Sequence, residues 1–288
     1  MSNAIIHPLE QTLIRVRQLS PYLKPQLGIP SGTEWRTVAD LAPGSAQLET
    51  LITATEAYLN TRAPAIVASA ILQNYQWPLI TTAMAYFLID RRVPDISAAN
   101  TLTGYDNERK ASRLALLSSR FATLPTDLAA NHPDATVLPD TTALRSALRS
   151  HIEAHLGMLI NHLCIRLGCK PRGLWLNVAD CCAGTLVWLM QAHNPSITLS
   201  QIEAEITALL RERSSPLNSR QIGLIQLRYG GHCRIVHDRA TCCYWYKTDG
   251  GDYCATCPHR TSADRRQQLL AHIVHDAQAQ ATVEEVLV

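Results

Sequence analysis

Four cysteines gather in one short stretch of this chain: Cys242 and Cys243 side by side, a ten-residue insert from Tyr244 to Tyr253, then Cys254 and Cys257 in a C-x-x-C pair. Four thiolates within so short a segment can hold a metal centre without help from elsewhere. C-x-x-C alone serves zinc knuckles, redox dithiols and iron–sulfur sites alike. The adjacent pair changes the balance, because sulfurs on consecutive residues diverge unless the backbone kinks. A two-iron cluster is wider than a single ion and accepts sulfurs arriving from several directions. The spacing therefore favours a [2Fe–2S] cluster on Cys242, Cys243, Cys254 and Cys257. A structural four-cysteine zinc module in a binding or regulatory protein is the alternative.

Other residues could compete for that role. Cys181 and Cys182 form a second adjacent pair, but they fall within a helical pattern, where neighbouring side chains point about 100° apart. With Cys164 and Cys169 they read as small core residues. Cys233 is the one nearby thiol that could substitute for a member of the set. His151, His155 and His162 lie on one flank of a long helix without a third ligand at matching spacing, so they read as structural. Asn177 and Asp180, inside an apolar helix, must find partners, since buried polar groups need them.

Composition bounds the setting. The chain has 288 residues, 47% hydrophobic and 17% charged, with a net charge of +2, as expected of a compact folded protein. That net charge argues neither for nor against nucleic acid, and no nucleic-acid partner is expected. Basic residues outnumber acidic ones ten to five between Arg211 and Arg266, while the first hundred residues balance seven against seven. A local positive field around the cysteines would favour an anionic ligand or partner. No export signal is visible at the N-terminus, so a reducing cytoplasm is expected and clustered thiols read as metal or redox ligands. The most apolar stretch, 63–89, is interrupted by Gln73, Asn74, Gln76 and Pro78, leaving pieces shorter than the ~20 residues that span a bilayer.

The elements that must position the cysteines are mostly helical. Periodicity predicts helices over 5–19 and 45–59, two buried helices begun by Pro64 and Pro78, and a short helix over 109–117, with 93–110 as a loop. The Pro-rich stretch 123–139 marks a boundary between a helical N-terminal lobe (1–135) and a C-terminal lobe (136–288). Asp140 or Thr141 caps the longest helix, which stops at Gly168, and Pro171 opens another. A capping box at Ser200–Glu203 starts a third. Residues 223–229 and 232–237 read as a β-hairpin around Gly230-Gly231, leading straight into the cysteine segment. An amphipathic helix over 262–274 and a mobile tail complete an α+β, predominantly α-helical chain. No P-loop, G-x-G-x-x-G or H-E-x-x-H appears, so a redox centre here takes its electrons from a separate donor.

The cysteine segment resembles the FhuF-like ferric-siderophore reductases, marked by R-x-x-C-C and C-x-x-C-P around an atypical [2Fe–2S] cluster. Here these are Arg239 to Cys243 and Cys254 to Pro258. An upstream run through Pro171, Arg172, Leu174, Trp175 and Asn177 is similar to the family's PR-x-LW-x-N helix start. The likeness is specific over about 168–260 and loose over the N-terminal half. The chain also continues for another helix past the last cysteine. The resemblance implies one-electron reduction of siderophore-bound Fe(III) in the cytoplasm, with peripheral association at the cytoplasmic face of the inner membrane and no transmembrane segment. It implies a ferric siderophore and an external ferredoxin- or flavoprotein-type donor as partners. Trp245, Tyr246, Arg234, Arg239, Lys247 and Arg260 are the candidates for contacting them. An iron–sulfur carrier or sensor without reductase activity remains the third reading.

Overall fold

The computed structural model describes residues 6–19, 23–31, 35–106, 110–229 and 232–286. Helix α1 (Pro8–Leu19) is followed by the short strands β1 (Gln26–Leu27) and β2 (Trp35–Arg36), then α2 (Ala46–Leu59) and α3 (Pro64–Asp90). Strands β3 (Val93–Pro94), β4 (Thr101–Asp106), β5 (Lys110–Leu116), β6 (Phe121–Thr123) and β7 (Ala135–Val137) come next. Then α4 (Thr141–Leu167), α5 (Pro171–His193) and α6 (Leu199–Leu210) lead to the hairpin β8 (Gly223–Tyr229) and β9 (His232–Asp238), and α7 (Ser262–Val286) closes the chain. Three sheets result, ordered β1-β5-β4-β2, β3-β6-β7 and β8-β9. The fold is thus α+β and helix-dominated, as expected. The turn expected at Gly230-Gly231 lies outside the described residues.

Helix α3 is the hub. It is buried on every side, from Ile66 and Val67 near its start to Tyr86 and Phe87 at its end. Sequence predicts two helices broken at Pro78, but α3 runs through it. An interior proline costs ~3 kcal/mol, and the packing of α1, α2, α4 and α5 around α3 outweighs that. One hydrophobic core extends from Leu9 to Ile235. By length and composition α5 could cross a membrane, yet 61% of its most apolar window is buried inside this core.

The first 135 residues are less helical than their pattern predicts. The expected loop over 93–110 contains β4, and the expected helix over 109–117 is β5, paired antiparallel with β4 from Thr101↔Leu116 to Asp106↔Lys110. Ala111, Leu114, Ala115 and Leu116 are apolar at spacings that suit either structure. The partner decides, because β4 offers Thr101, Thr103 and Tyr105 at alternate positions, all strand formers and all buried. A shift of the pairing register at Gly104 and Tyr105 bends the pair.

Helix ends follow their capping chemistry. Ser45 caps α2 and Asp140 caps α4, each side chain accepting the N–H three residues on, and Gly168 ends α4 at φ 68°. The capping box sits two residues earlier than Ser200–Glu203: Thr198 and Gln201 form it. Thr198 wins because its hydroxyl and the Gln201 amide satisfy each other's backbone N–H groups. Helix α7 continues through residue 286 instead of stopping near Val274.

Candidate metal centre

Helix α5 delivers the cysteine segment. The Gln191 side-chain amide clamps β9 by bonding both the N–H and the C=O of Ile235, each at 2.8 Å. Two residues on, the His237 ring lies flush on Gly184, where a Cβ would meet it at 2.9 Å. One turn before Gly184, the Asp180 carboxylate accepts the N–H of Ala240 (2.8 Å) and of Thr241 (2.9 Å). The chain is therefore fixed up to the residue before Cys242. Asn177, a turn earlier still, donates to Ser69 Oγ (2.8 Å) and accepts from Gln73 on α3. The family-like helix start is structural: Arg172 donates to the carbonyls of Pro216 and Asn218 at 2.8 Å, and Trp175 packs on Gly157.

The kink demanded by adjacent cysteines is present. Tyr244, directly after Cys243, adopts φ 62°, uncommon for a non-glycine residue, and its N–H donates to Cys242 Sγ at 3.2 Å. The insert then doubles back through a helical turn at Trp245–Lys247. Gly251 passes so close that a Cβ there would lie 1.9 Å from the Trp245 carbonyl oxygen. The Asn60 amide, at the end of α2, holds the insert through Asp249 at 2.9 Å. After the second pair, Arg260 donates to the carbonyls of Tyr253 (2.7 Å) and Cys254 (3.1 Å) and pairs with Asp264 on α7.

The four cysteines lie close together, Cys242 near Cys257 and Cys243, and Cys254 near Cys243 and Cys257. Cys243 is the readiest to ionise. Its pKa is pulled down to about 5, first by the Cys254 thiol, against burial, and then by the Trp245 N–H and Arg239. The same contact pushes Cys254 up, while burial first and its thiol neighbours next raise Cys242 to about 11. Arg239 sits between the pairs and α5, with Nη1 3.8 Å from Cys254 Sγ and Nε 3.8 Å from Asp180. A buried cation beside thiolates offsets their charge. The donor set, four sulfurs with a cation and a backbone N–H on them, fits an iron–sulfur centre.

Among the described residues, the group of three or more candidate ligands with all donor atoms within 4.8 Å of one another is His7, His132 and Asp134. That group is a staple of the N-terminus. The Leu9 N–H donates to His7 Nδ1 (3.1 Å) and the Asp134 N–H to His132 Nδ1 (3.2 Å). Each neutral ring then carries its proton on Nε2, and His7 uses it to bond Asp134 at 3.1 Å.

The remaining candidates separate. Cys182 is fully buried, Cys164 and Cys169 face each other at 3.4 Å, and exposed Cys233 accepts from Gln226 at 3.2 Å on the hairpin. His155 is buried between Tyr75 Oη (2.8 Å) and the Ile96 carbonyl (2.7 Å). Trp245 is exposed and lines a cavity with Cys243. Tyr246 packs on Tyr253 and His259, and Lys247 lies over the Tyr244 and Tyr246 rings. Arg234 is exposed on β9. The residues that sequence reasoning missed are Gln73, Gln76, Trp77 and Trp188, which wall a second cavity at the segment. The amides were visible as interruptions of the apolar stretch in α3, but nothing in the sequence aimed them at Arg239.

Helix α7 has a clear task. Ile225, Leu227 and Val236, on one face of the hairpin, pack with Leu269 and Ile273 of α7, while Leu224 and Ile235 on the other face join the main core.

No curated protein matches the chain. Residues 239–259 match the family model of the FhuF 2Fe-2S C-terminal domain. That segment begins at Arg239, takes in all four cysteines, and ends one residue short of Arg260. The match points to a [2Fe–2S] cluster and, at residues 239–259, supports a FhuF-like protein.

Proposed function

We propose that this protein is a cytoplasmic ferric-siderophore reductase in which Cys242, Cys243, Cys254 and Cys257 hold the [2Fe–2S] cluster. The observation that carries the reading is the gathering of the four cysteines beside Arg239 in a segment that matches the FhuF 2Fe-2S C-terminal domain model. When bound, a [2Fe–2S] cluster carries one electron at a potential set by ligation, hydrogen bonds to sulfur and solvent exposure.

The chain's own residues prepare that transfer. Asp180 fixes the approach to the first cysteine pair, and Arg260 fixes the second. Arg239 places a positive charge against the thiolates, which favours the reduced, more negative state. Trp245 and Lys247 are exposed, where a partner could reach them. Siderophore oxygens hold Fe(III) strongly and Fe(II) weakly, so one electron loosens the metal. That electron comes from an external ferredoxin- or flavoprotein-type donor.

Anaerobic purification tests the reading. The expected protein is reddish, gives an EPR signal after dithionite reduction, and is reoxidised on adding a ferric siderophore. A colourless protein with one stoichiometric zinc would overturn it. A reducible cluster that no ferric siderophore reoxidises would leave an electron carrier or sensor.

A further inference from the structure

Two thiols outside the metal centre meet at the corner between α4 and α5. Cys164 lies in the last turn of α4, and Cys169 lies in the link Gly168-Cys169-Lys170 that leads to α5. Had the helix continued, residues five apart would project about 140° from each other around the axis and could not touch. The chain reverses instead at Gly168, at φ 68°, whose N–H bonds the Cys164 carbonyl at 2.9 Å. Such a left-handed stop folds the chain back over the turn it has just completed. Cys169 therefore returns alongside that turn, and the two sulfurs face each other at 3.4 Å.

That contact is close to a bond. A disulfide is ~2.0 Å long, so closing this pair needs the sulfurs to approach by only about 1.4 Å. The corner is open, with nothing within 4 Å of a Cβ added at Gly168. Both thiols are half-buried against the edge of the main core, within reach of a small reagent. They are also unlike in reactivity. Burial first, then Cys169, push the Cys164 thiol up to about 12, so Cys164 holds its proton near neutrality and attack begins from Cys169.

We propose that Cys164 and Cys169 are a redox-active thiol pair that closes to a disulfide by exchange with a small-molecule disulfide, and that the closed form clamps the corner between α4 and α5. In the first step the Cys169 thiolate attacks a sulfur of oxidised glutathione. A mixed disulfide forms on Cys169 and one glutathione thiolate leaves. Cys164 then gives its proton to water, and its sulfur attacks Cys169 Sγ and displaces the second glutathione. Two protein thiols are oxidised and one small disulfide is reduced to two thiols. In a reducing compartment the pair stays open, and it closes only when the thiol pool becomes oxidised. The site answers two-electron thiol chemistry, apart from the four cysteines of the metal centre. The clamp would act at the foot of α5, the helix whose Asp180 and Gln191 hold the cysteine segment.

Trypsin reads the bond directly. Cleavage after Arg166 parts the two thiols into peptides 150–166 and 167–172, which stay joined only if the disulfide has formed. The full chain, metal centre loaded and free of oxygen, is equilibrated with glutathione at rising oxidised fraction, quenched in acid, alkylated and digested. The joined peptides should rise to about nine-tenths of the chain in excess oxidised glutathione and vanish with dithiothreitol, the visible absorbance of the centre being kept. In Cys164→Ala, Cys169 should stop as its glutathione adduct, and in Cys169→Ala, Cys164 should be alkylated at least tenfold more slowly than Cys169 is in Cys164→Ala. Hydrogen exchange at 165–170 should slow about tenfold in the closed form. Both thiols remaining alkylatable at every glutathione ratio would overturn the proposal, as would wild-type Cys169 ending as a glutathione adduct without the bond to Cys164. A closed form whose amides at 165–170 exchange as fast as the open one would overturn the clamp.

Discussion

Asp180 on α5 and Arg239 at the head of the cysteine segment lie 3.8 Å apart, both largely out of solvent. The same carboxylate receives the N–H groups of Ala240 and Thr241. One side chain of the helical core therefore sets both the backbone and the charge of the segment. Asp180→Ala leaves two amides without their acceptor and takes the carboxylate away from the guanidinium, which costs on the order of 3–5 kcal/mol. Asp180→Asn keeps an acceptor and should cost less. Denaturant midpoints and iron content per chain should fall together, Ala below Asn. An Ala variant with wild-type iron content and stability would disprove the anchoring role.

Arg239 puts a fixed positive charge 3.8 Å from Cys254 Sγ. Reduction adds a negative charge, so removing the cation makes reduction harder. Arg239→Gln should lower the reduction potential by on the order of 50–200 mV, from a Coulomb term of ~1–4 kcal/mol at an effective dielectric near 20 and 59 mV per tenfold for one electron. Arg239→Lys should lie between Gln and wild type. A dye-equilibrated redox titration reads the shift, and a potential that rises in Arg239→Gln would contradict the assignment.

The parts of this molecule legible in sequence are those set by local chemistry. Ser45, Asp140 and Gly168 mark helix ends because capping depends on neighbours only. The cysteine spacing implied a kink, and Tyr244 at φ 62° supplies it. Asn177 and Asp180 demanded partners, and Ser69, Gln73, Ala240 and Thr241 are those partners. What depended on distant partners stayed hidden. Strand β5 is a strand because β4 lies beside it, and α3 passes Pro78 because four helices surround it. The cavity beside Arg239 joins residues about 160 positions apart in the chain, which no local pattern encodes.

Gly250 and Gly251 make a paired test of the insert. Gly250 has φ 69° and open space around it, so Gly250→Ala should cost only the left-handed penalty of about 1–2 kcal/mol. Gly251→Ala puts a Cβ 1.9 Å from the Trp245 carbonyl oxygen, and the turn must open. Opening it breaks the Gly251 N–H bond to Thr248 and moves Cys254 relative to Cys243. Visible absorbance per chain should survive Gly250→Ala and drop steeply in Gly251→Ala. Equal absorbance in both variants would count against the close approach.

His237 makes stability depend on pH. Burial, then the charge of Arg239, lower its pKa to about 4, so the folded protein keeps the ring neutral. An unfolded histidine takes up its proton near pH 6.5. Below that the unfolded chain binds a proton the folded one does not, so His237's contribution falls as pH drops from about 6.5 to about 4. Asp180, raised to about 6 mainly by burial, acts with the opposite sign: its contribution is present below about pH 4 and lost as pH rises through 6. Comparing His237→Gln with wild type cancels the Asp180 part. Between pH 7 and 5 the wild type should lose roughly 1–2 kcal/mol more than the variant in denaturant titrations. Parallel curves would mean that the ring titrates normally.

Helix α7 gives the cysteine segment its second support. Leu269 and Ile273 are buried against Leu227, and Arg265 reaches back to Asp238 at 3.3 Å. A two-stranded hairpin is marginal alone and needs both faces covered. The main core covers one through Leu224 and Ile235, and α7 covers the other. Leu269→Ala should therefore cost about 2–3 kcal/mol, at the low end for a buried leucine because its cluster is small. That loss should fall on the hairpin and the cysteine segment attached to it, not on α3 and its neighbours. Hydrogen exchange resolves the two: amides of 223–229 and 232–238 should exchange faster in Leu269→Ala, while those of α3 and α4 keep wild-type protection. Uniform acceleration across the chain would show instead that α7 stabilises the whole core.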